Sequence, residues 1–310
     1  MLICGTIPRE DFPLSMGAVK FSGKSLIFND REIPCIQGTT ALIGAACVTA
    51  EYLGAKPPQA LLVGDRGTGK GSRLLYEYLS KNLPALAPDV LVLHYILPVM
   101  GLMKKVCESA EKCPRKPVMI ADASSMYAAK AAGLATRFDI FTPDACEMAF
   151  LADPEATHPA YISRHLFDSD ITQTPELVAK AYQNRSAARL LLVKGSVDYI
   201  VAEGKIIETI TEPDIPALEA IGGTGDTITG MVAAFASTGL ELQQATILAA
   251  RANRMAGAYA QAAPATRIWE IIAQFSAVFR EYLCTWSGVC YGAGDEESDT
   301  GQLRGQVSHQ

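Results

Sequence analysis

Histidine is scarce in this chain, with four among 310 residues, and tryptophan scarcer still, with two. The eight cysteines include no Cys-x-x-Cys, and the closest pairs, Cys107/Cys113 and Cys284/Cys290, stand six apart. Zinc modules are thereby excluded, and eight cysteines in so long a chain do not make a disulfide scaffold. Free thiols in a reducing cytoplasm are expected; Cys146 as a thiol nucleophile is the sharper alternative to a small buried hydrophobe. A basic excess is missing too: 27 Lys and Arg face 33 Asp and Glu, a net charge of −6, which argues against a nucleic-acid partner. No basic start marks a signal peptide. The longest apolar run, Val90 to Met103, contains His94 and Pro98 and is too short to span a bilayer. These absences leave a cytoplasmic protein with small-molecule ligands.

What is present suits an extensive core, with 49% hydrophobic and 19% charged residues. Short apolar runs at 60–64, 89–93, 117–121, 138–142 and 189–194 read as strands buried on both faces. Helical patterns at 39–53, 71–83, 99–111, 124–133 and 175–187 alternate with them, the sign of a mostly parallel sheet covered by helices. Thr174 before Pro175 is expected to cap the last of these. A hairpin follows at 197–210 with Glu203-Gly204 at its turn, then helices at 226–238, 241–260 and 268–284. One α/β domain is expected over 1–290, with a disordered polar tail over 291–310. The alanine-rich helix 241–260 hints at a homo-oligomer.

Two glycine-rich stretches compete for a phosphate. In "GDRGTGKGS", Gly64, Gly69 and Lys70 fit a P-loop, but Gly71 stands where the magnesium-binding Ser or Thr is required, and Ser72 arrives one residue late. The stretch reads as a strand-to-helix turn, with Arg66 and Lys70 either solvated or beside an anionic substrate. In "GGTGDTITG", Gly222, Gly223, Thr224 and Gly225 lead straight into a helix. Backbone N–H groups and the helix dipole converge there on an anion. Asp226 at that point can take a proton from a hydroxyl attacking a phosphoryl group; a plain helix N-cap is the alternative.

Four segments in order resemble the ribokinase-like superfamily, and within it the ADP- or ATP-dependent NAD(P)H-hydrate dehydratases. "PVMIADASSMYAA" (117–129) is similar to the family's strand ending in Asp-Ala-Asp. "DIFTPDACEMAFL" (139–151) is similar to its Thr-Pro-His-Pro-Gly-Glu segment. "LLLVKGSVDYIVAEG" (190–204) looks like its Lys-Gly segment, and "GGTGDTITGMVAA" (222–234) like its Gly-Thr-Gly-Asp anion hole. The resemblance implies a three-layer α/β/α ribokinase-like fold with a central mostly parallel sheet. It implies that Gly222 to Gly225 bind the transferring phosphate and that Asp226 is the base. Lys194, Gly195, Ser196, Val197 and Asp198 would line the nucleotide pocket. Asp122, Asp144, Arg66 and Lys70 would lie toward the substrate, and Glu147 would hold magnesium indirectly. The implied cofactors are ATP or ADP and magnesium.

The sequence departs from the dehydratase pattern at Asp144, where those relatives carry histidine. Asp144-x-x-Glu147 is nearer the Asn-x-x-Glu of sugar and vitamin kinases. Three functions therefore stay open: a dehydratase of hydrated NAD(P)H, a small-molecule kinase, or a nucleotide-binding protein without turnover. Before residue 36 no segment matches.

Overall fold

The computed structural model describes residues 1–156 and 173–288. The polar tail therefore lies outside the described residues. Eleven strands form one sheet in the order β11-β10-β9-β8-β7-β6-β1-β5-β2-β3-β4. They are β1 (Leu2–Ile7), β2 (Ser15–Phe21), β3 (Ser25–Phe28), β4 (Arg31–Pro34), β5 (Gln59–Gly64), β6 (Val90–His94), β7 (Val118–Asp122), β8 (Ile140–Phe141), β9 (Leu190–Val193), β10 (Asp198–Ala202) and β11 (Lys205–Ile210). The middle strands from β5 through β1 to β9 are parallel. Both flanks are antiparallel: β10 and β11 on one side, β2, β3 and β4 on the other.

Alternate residues of the central strands enter two separate cores, as the period of two along a strand requires. Ile3, Leu62, Val92, Ile120 and Leu192 face one core. It is closed by α1 (Thr39–Tyr52), α7 (Thr224–Ser237), α8 (Leu242–Tyr259) and α9 (Ile268–Ile272). Leu2, Leu61, Leu93, Ala121 and Leu191 face the other, under α2 (Lys70–Leu86), α3 (Met100–Ala110), α4 (Ser124–Ala131), α5 (Ala145–Ala152) and α6 (Thr174–Gln183). The result is the expected three-layer α/β/α arrangement.

The N-terminal segment, where the sequence offered no match, supplies the central strand β1 and the β2–β3–β4 meander. Strand 138–142 shrinks to two residues because Pro143 follows and cannot donate to a ladder. The helix expected over 268–284 is interrupted after Ile272. Thr174 is the first residue of α6 rather than its cap, which is Gln173. The hairpin turn sits at Glu203-Gly204, both with positive φ (50° and 83°). Most alanines of α8 face inward, with Ala245, Ala249, Ala250, Ala252 and Ala256 fully buried in the chain's own core, while Ala258 is half-buried. Cys284 is disulfide-bonded, against the expectation of free thiols throughout, whereas Cys4, Cys35, Cys47, Cys107 and Cys113 are free and buried. No helix among the described residues is long and apolar enough to cross a membrane.

Candidate active site

Parallel strands deliver their C-terminal residues to one edge, where open α/β sheets bind ligands. Here β6 ends in His94, β7 in Asp122, and Thr142 and Lys194 follow β8 and β9. The helix α7 points its N-terminus at the same edge. It can begin there because Gly223 takes φ +103°, and a β-carbon on Gly223 would lie 3.0 Å from Ile268 and 3.1 Å from Ala41. These ends surround a cavity of about 560 Å³, lined on its polar side by Asp122, Asp144, Glu147, Lys194, Asp226 and Arg254.

Asp226 is the third residue of α7, not its cap. Its Oδ2 accepts the Gly38 backbone N–H at 2.7 Å and its Oδ1 lies 2.9 Å from His94 Nε2. Gly38 adopts φ 63° and ψ −141°, a region that strains any residue with a β-carbon. Burial pushes the Asp226 carboxyl up, but the His94 hydrogen bond, the Lys194 charge and the Gly38 N–H outweigh it and hold it below the usual carboxylate range. Asp226 is an ionised carboxylate at a helix N-terminus, facing a cavity: a competent proton acceptor.

Asp122 is 1% exposed and orients its surroundings. It accepts Lys194 Nζ at 3.0 and 3.1 Å, Thr229 Oγ1 at 2.6 Å and the Ala123 N–H at 2.8 Å. Thr229 in turn meets Thr142 at 2.9 Å. Burial opposes the charge on Lys194, yet Asp122, Glu147 and Asp226 together raise it well above the ordinary lysine range, so the ammonium stays protonated. His94, Asp122 and Asp226 hold ligand atoms within 4.8 Å of one another, and the Lys194 ammonium, bonded to Asp122, offsets one of the two carboxylate charges there. Ala123 takes φ 49° and ψ −138°, a strained conformation for a residue with a β-carbon, worth about 1–3 kcal/mol.

Asp144 and Glu147 form a capping box at the start of α5. Glu147 N–H donates to Asp144 Oδ1 at 2.7 Å and Asp144 N–H donates to Glu147 Oε2 at 2.9 Å. Tyr127 donates to the other Glu147 oxygen at 3.0 Å. Burial first, and then the Asp144 charge, push the Glu147 carboxyl up to about 8.

On the far side, Lys194, Gly195, Ser196 and Asp198 line the cavity, while Val197 does not. Arg254 fixes this turn from α8. It donates to Asp198 at 2.7 Å, and to the Gly195 and Ser196 carbonyls at 2.9 and 2.8 Å. Ile215, Pro216 and Leu218 add an apolar wall. Of the glycine stretch, Thr224 and Gly225 reach the cavity, whereas Gly222 packs on Gln37.

The first glycine-rich loop closes on itself. Asp65 Oδ1 accepts the N–H groups of Gly67, Thr68 and Gly69 at 3.1, 2.9 and 3.0 Å. Asp65 Oδ2 accepts both the N–H and the hydroxyl of Ser72 at 2.9 Å. The N–H groups that would cradle a phosphate in a P-loop hold a carboxylate of the loop itself. Arg66 and Lys70 are exposed and do not line the cavity.

Sequence reasoning missed His94, Gly38, Thr229, Tyr95 and Arg254. Tyr95 lines the cavity, stands edge-on to the His94 ring at 4.5 Å between centroids, and carries φ 50°. The one available signal was that a rare histidine ended a buried strand.

Residues 87–273 match the NAD(P)H-hydrate dehydratase family. An uncharacterized protein of Methanocaldococcus jannaschii is 38% identical over 231 residues, covering 74% of this chain and 95% of that protein. Among solved structures, the ADP/ATP-dependent NAD(P)H-hydrate dehydratase of Bacillus subtilis, co-crystallized with ATP and magnesium, has TM-score 0.54 at 12% identity, covering 90% of this chain and 88% of that one. A ribokinase-like superfamily protein of Enterococcus faecalis has TM-score 0.53 at 15% identity, covering 91% and 86%. A phosphofructokinase-2 variant of Escherichia coli has 0.51 at 13% identity, covering 89% and 99%.

Proposed function

The chain belongs to the NAD(P)H-hydrate dehydratase family, and from that premise we propose that it repairs hydrated NADH or NADPH in the cytoplasm at the expense of ATP or ADP. The observation that carries this reading is the Asp226 carboxylate, held by Gly38 and His94 at the N-terminus of α7. The hydroxyl of the hydrated ring loses its proton to Asp226 while its oxygen attacks the terminal phosphorus, and the bond to the nucleotide diphosphate or monophosphate breaks. Such a positioned base contributes about 10²–10⁴ in rate. The first-turn N–H groups of α7 and the Lys194 ammonium stabilise charge on the phosphoryl oxygens. The ring nitrogen's lone pair then expels phosphate, and loss of a ring C–H proton restores the double bond.

The nucleotide lies along Lys194 to Asp198, a turn that Arg254 holds rigid, with Ile215, Pro216 and Leu218 offering an apolar wall to a base. The oxygen donors of this cavity suit magnesium, which needs only one or two carboxylates besides phosphates. Glu147, whose two oxygens are engaged by Asp144 and Tyr127, would hold the ion through water. Bound magnesium supplies charge neutralisation on the phosphates.

A second reading, a kinase that stops at the phosphorylated product, is favoured by Asp144. Where the dehydratases carry histidine, this side chain is an N-cap. The test is to give the protein hydrated NADH with magnesium and ATP or ADP, and to follow the return of NADH with Asp226→Asn as control. Recovery that needs nucleotide and Asp226 supports repair. A phosphorylated product without NADH supports the kinase, and nucleotide binding without either product supports a protein that has lost turnover.

A further inference from the structure

His94 has no part in the phosphoryl-transfer scheme, yet it touches the group at its centre. It is 0% exposed, with Nε2 2.9 Å from Asp226 Oδ1 and Nδ1 3.0 Å from Thr39 Oγ1. The tautomer follows from these partners. An ionised carboxylate only accepts, so Nε2 carries the proton; in the neutral ring that leaves Nδ1 to accept the Thr39 hydroxyl. Thr39 opens α1 directly after Gly38, whose N–H holds the other Asp226 oxygen. Two consecutive residues thus grip the same carboxylate, one directly and one through the imidazole.

The space for this chain is built in on β1. Gly5 pairs with His94 in the β1–β6 register. A β-carbon on Gly5 would lie 2.6 Å from Thr39 Cγ2, 2.8 Å from Thr39 Oγ1 and 2.9 Å from the His94 carbonyl. A strand end that needed only packing would be filled by Leu or Phe. An imidazole in full burial, with both nitrogens satisfied, is explained by what it does to Asp226.

We propose that His94 is a positioning residue for the catalytic base: its Nε2–H fixes the orientation of Asp226, and Thr39 fixes the tautomer that makes this possible. The inference rests on the phosphoryl-transfer reading above. The acceptor's proton ends on Asp226, and His94 keeps its own throughout, so no proton passes to the imidazole. The hydrogen bond also favours the ionised carboxylate. The other groups facing Asp226 are Lys194, Asp122, Tyr95 and Cys35; of these, Asp122 also lies 3.8 Å from His94 Nε2 and the Tyr95 ring stands edge-on to the imidazole. Without the Nε2–H donor the Asp226 carboxyl titrates at higher pH, and the acid limb of kcat/KM moves up with it.

The experiment compares His94→Leu, His94→Gln and Thr39→Val with the wild type. His94→Leu should lower kcat about 10²-fold, the cost of a misplaced catalytic group, with the nucleotide KM little changed and the acid limb moved to higher pH. His94→Gln restores a donor and should recover part of the loss. A folded His94→Leu protein with unchanged kcat and an unmoved acid limb overturns the proposal. Nuclear magnetic resonance of the ring nitrogens supplies an arm that needs no substrate. A proton on Nε2 that shifts in Asp226→Asn supports the proposal even if hydrated NADH is not the substrate, and an unprotonated Nε2 overturns it even if NADH returns.

Discussion

The ammonium of Lys194 lies 3.3 Å from where a β-carbon at Gly225 would sit. A strand-end cation and a helix N-terminus meet there, 31 residues apart in sequence. Asp122 pins the ammonium with two hydrogen bonds, so it cannot swing aside freely. Gly225→Ala is expected to displace Lys194 and lower kcat about tenfold, roughly 1.4 kcal/mol in the barrier, while the melting temperature stays near that of the wild type. Steady-state kinetics beside a thermal melt check both halves.

The loop around Asp65 yields a pair of opposed outcomes. Lys70→Ala should leave nucleotide-dependent turnover nearly unchanged, because Lys70 is exposed and away from the cavity. Asp65→Ala should cost about 1–3 kcal/mol in stability, since it strips the partner from several backbone donors at once. Denaturant unfolding measures the second. Loss of activity in Lys70→Ala with stability intact would return the loop to nucleotide chemistry.

Glu147 gives a pH signature. Its carboxyl is raised to about 8 by burial and the Asp144 charge. The folded protein therefore binds a proton that the unfolded chain releases near the ordinary carboxylate pKa of about 4.3. Between those two values the native state holds more protons, so this group makes stability fall as pH rises. Glu147→Gln should flatten that slope. Melting temperatures of both proteins from pH 5 to 8 decide it; parallel curves would remove the assignment.

Breaking the Asp198–Arg254 pair strands a buried charge. Arg254→Leu should destabilise the protein by about 3–5 kcal/mol. The Gly195 and Ser196 carbonyls also lose their donor, so any folded fraction should bind nucleotide more weakly. Calorimetric titration with ATP below the lowered melting temperature tests the second effect.

Much of the sheet was legible because its strands are continuous apolar runs and its helices carry one-sided patterns. The Gly-Thr-Gly-Asp stretch stood out because its glycines run straight into a helix that carries an acid in its first turn. β1 was not, since "LICGTI" is short and its central place depends on pairing with β5 and β6, which lie more than fifty residues away. His94 was hidden for a similar reason: its partners Thr39 and Asp226 are 55 and 132 residues distant. Arg254 sits in an ordinary helical pattern, and nothing local shows that it reaches Asp198. Local propensity marked the elements, while long-range pairing made the site.

A nest of backbone N–H groups takes whichever anion is presented to it most often. In the 64–72 turn that anion is covalently attached, a few bonds from the donors it satisfies, and tethering of this kind gives an effective concentration far above that of any dissolved nucleotide. A dissolved phosphate would have to evict a resident that cannot diffuse away. An acid placed directly after the first glycine can thus turn the outline of a nucleotide trap into a closed clasp between strand and helix.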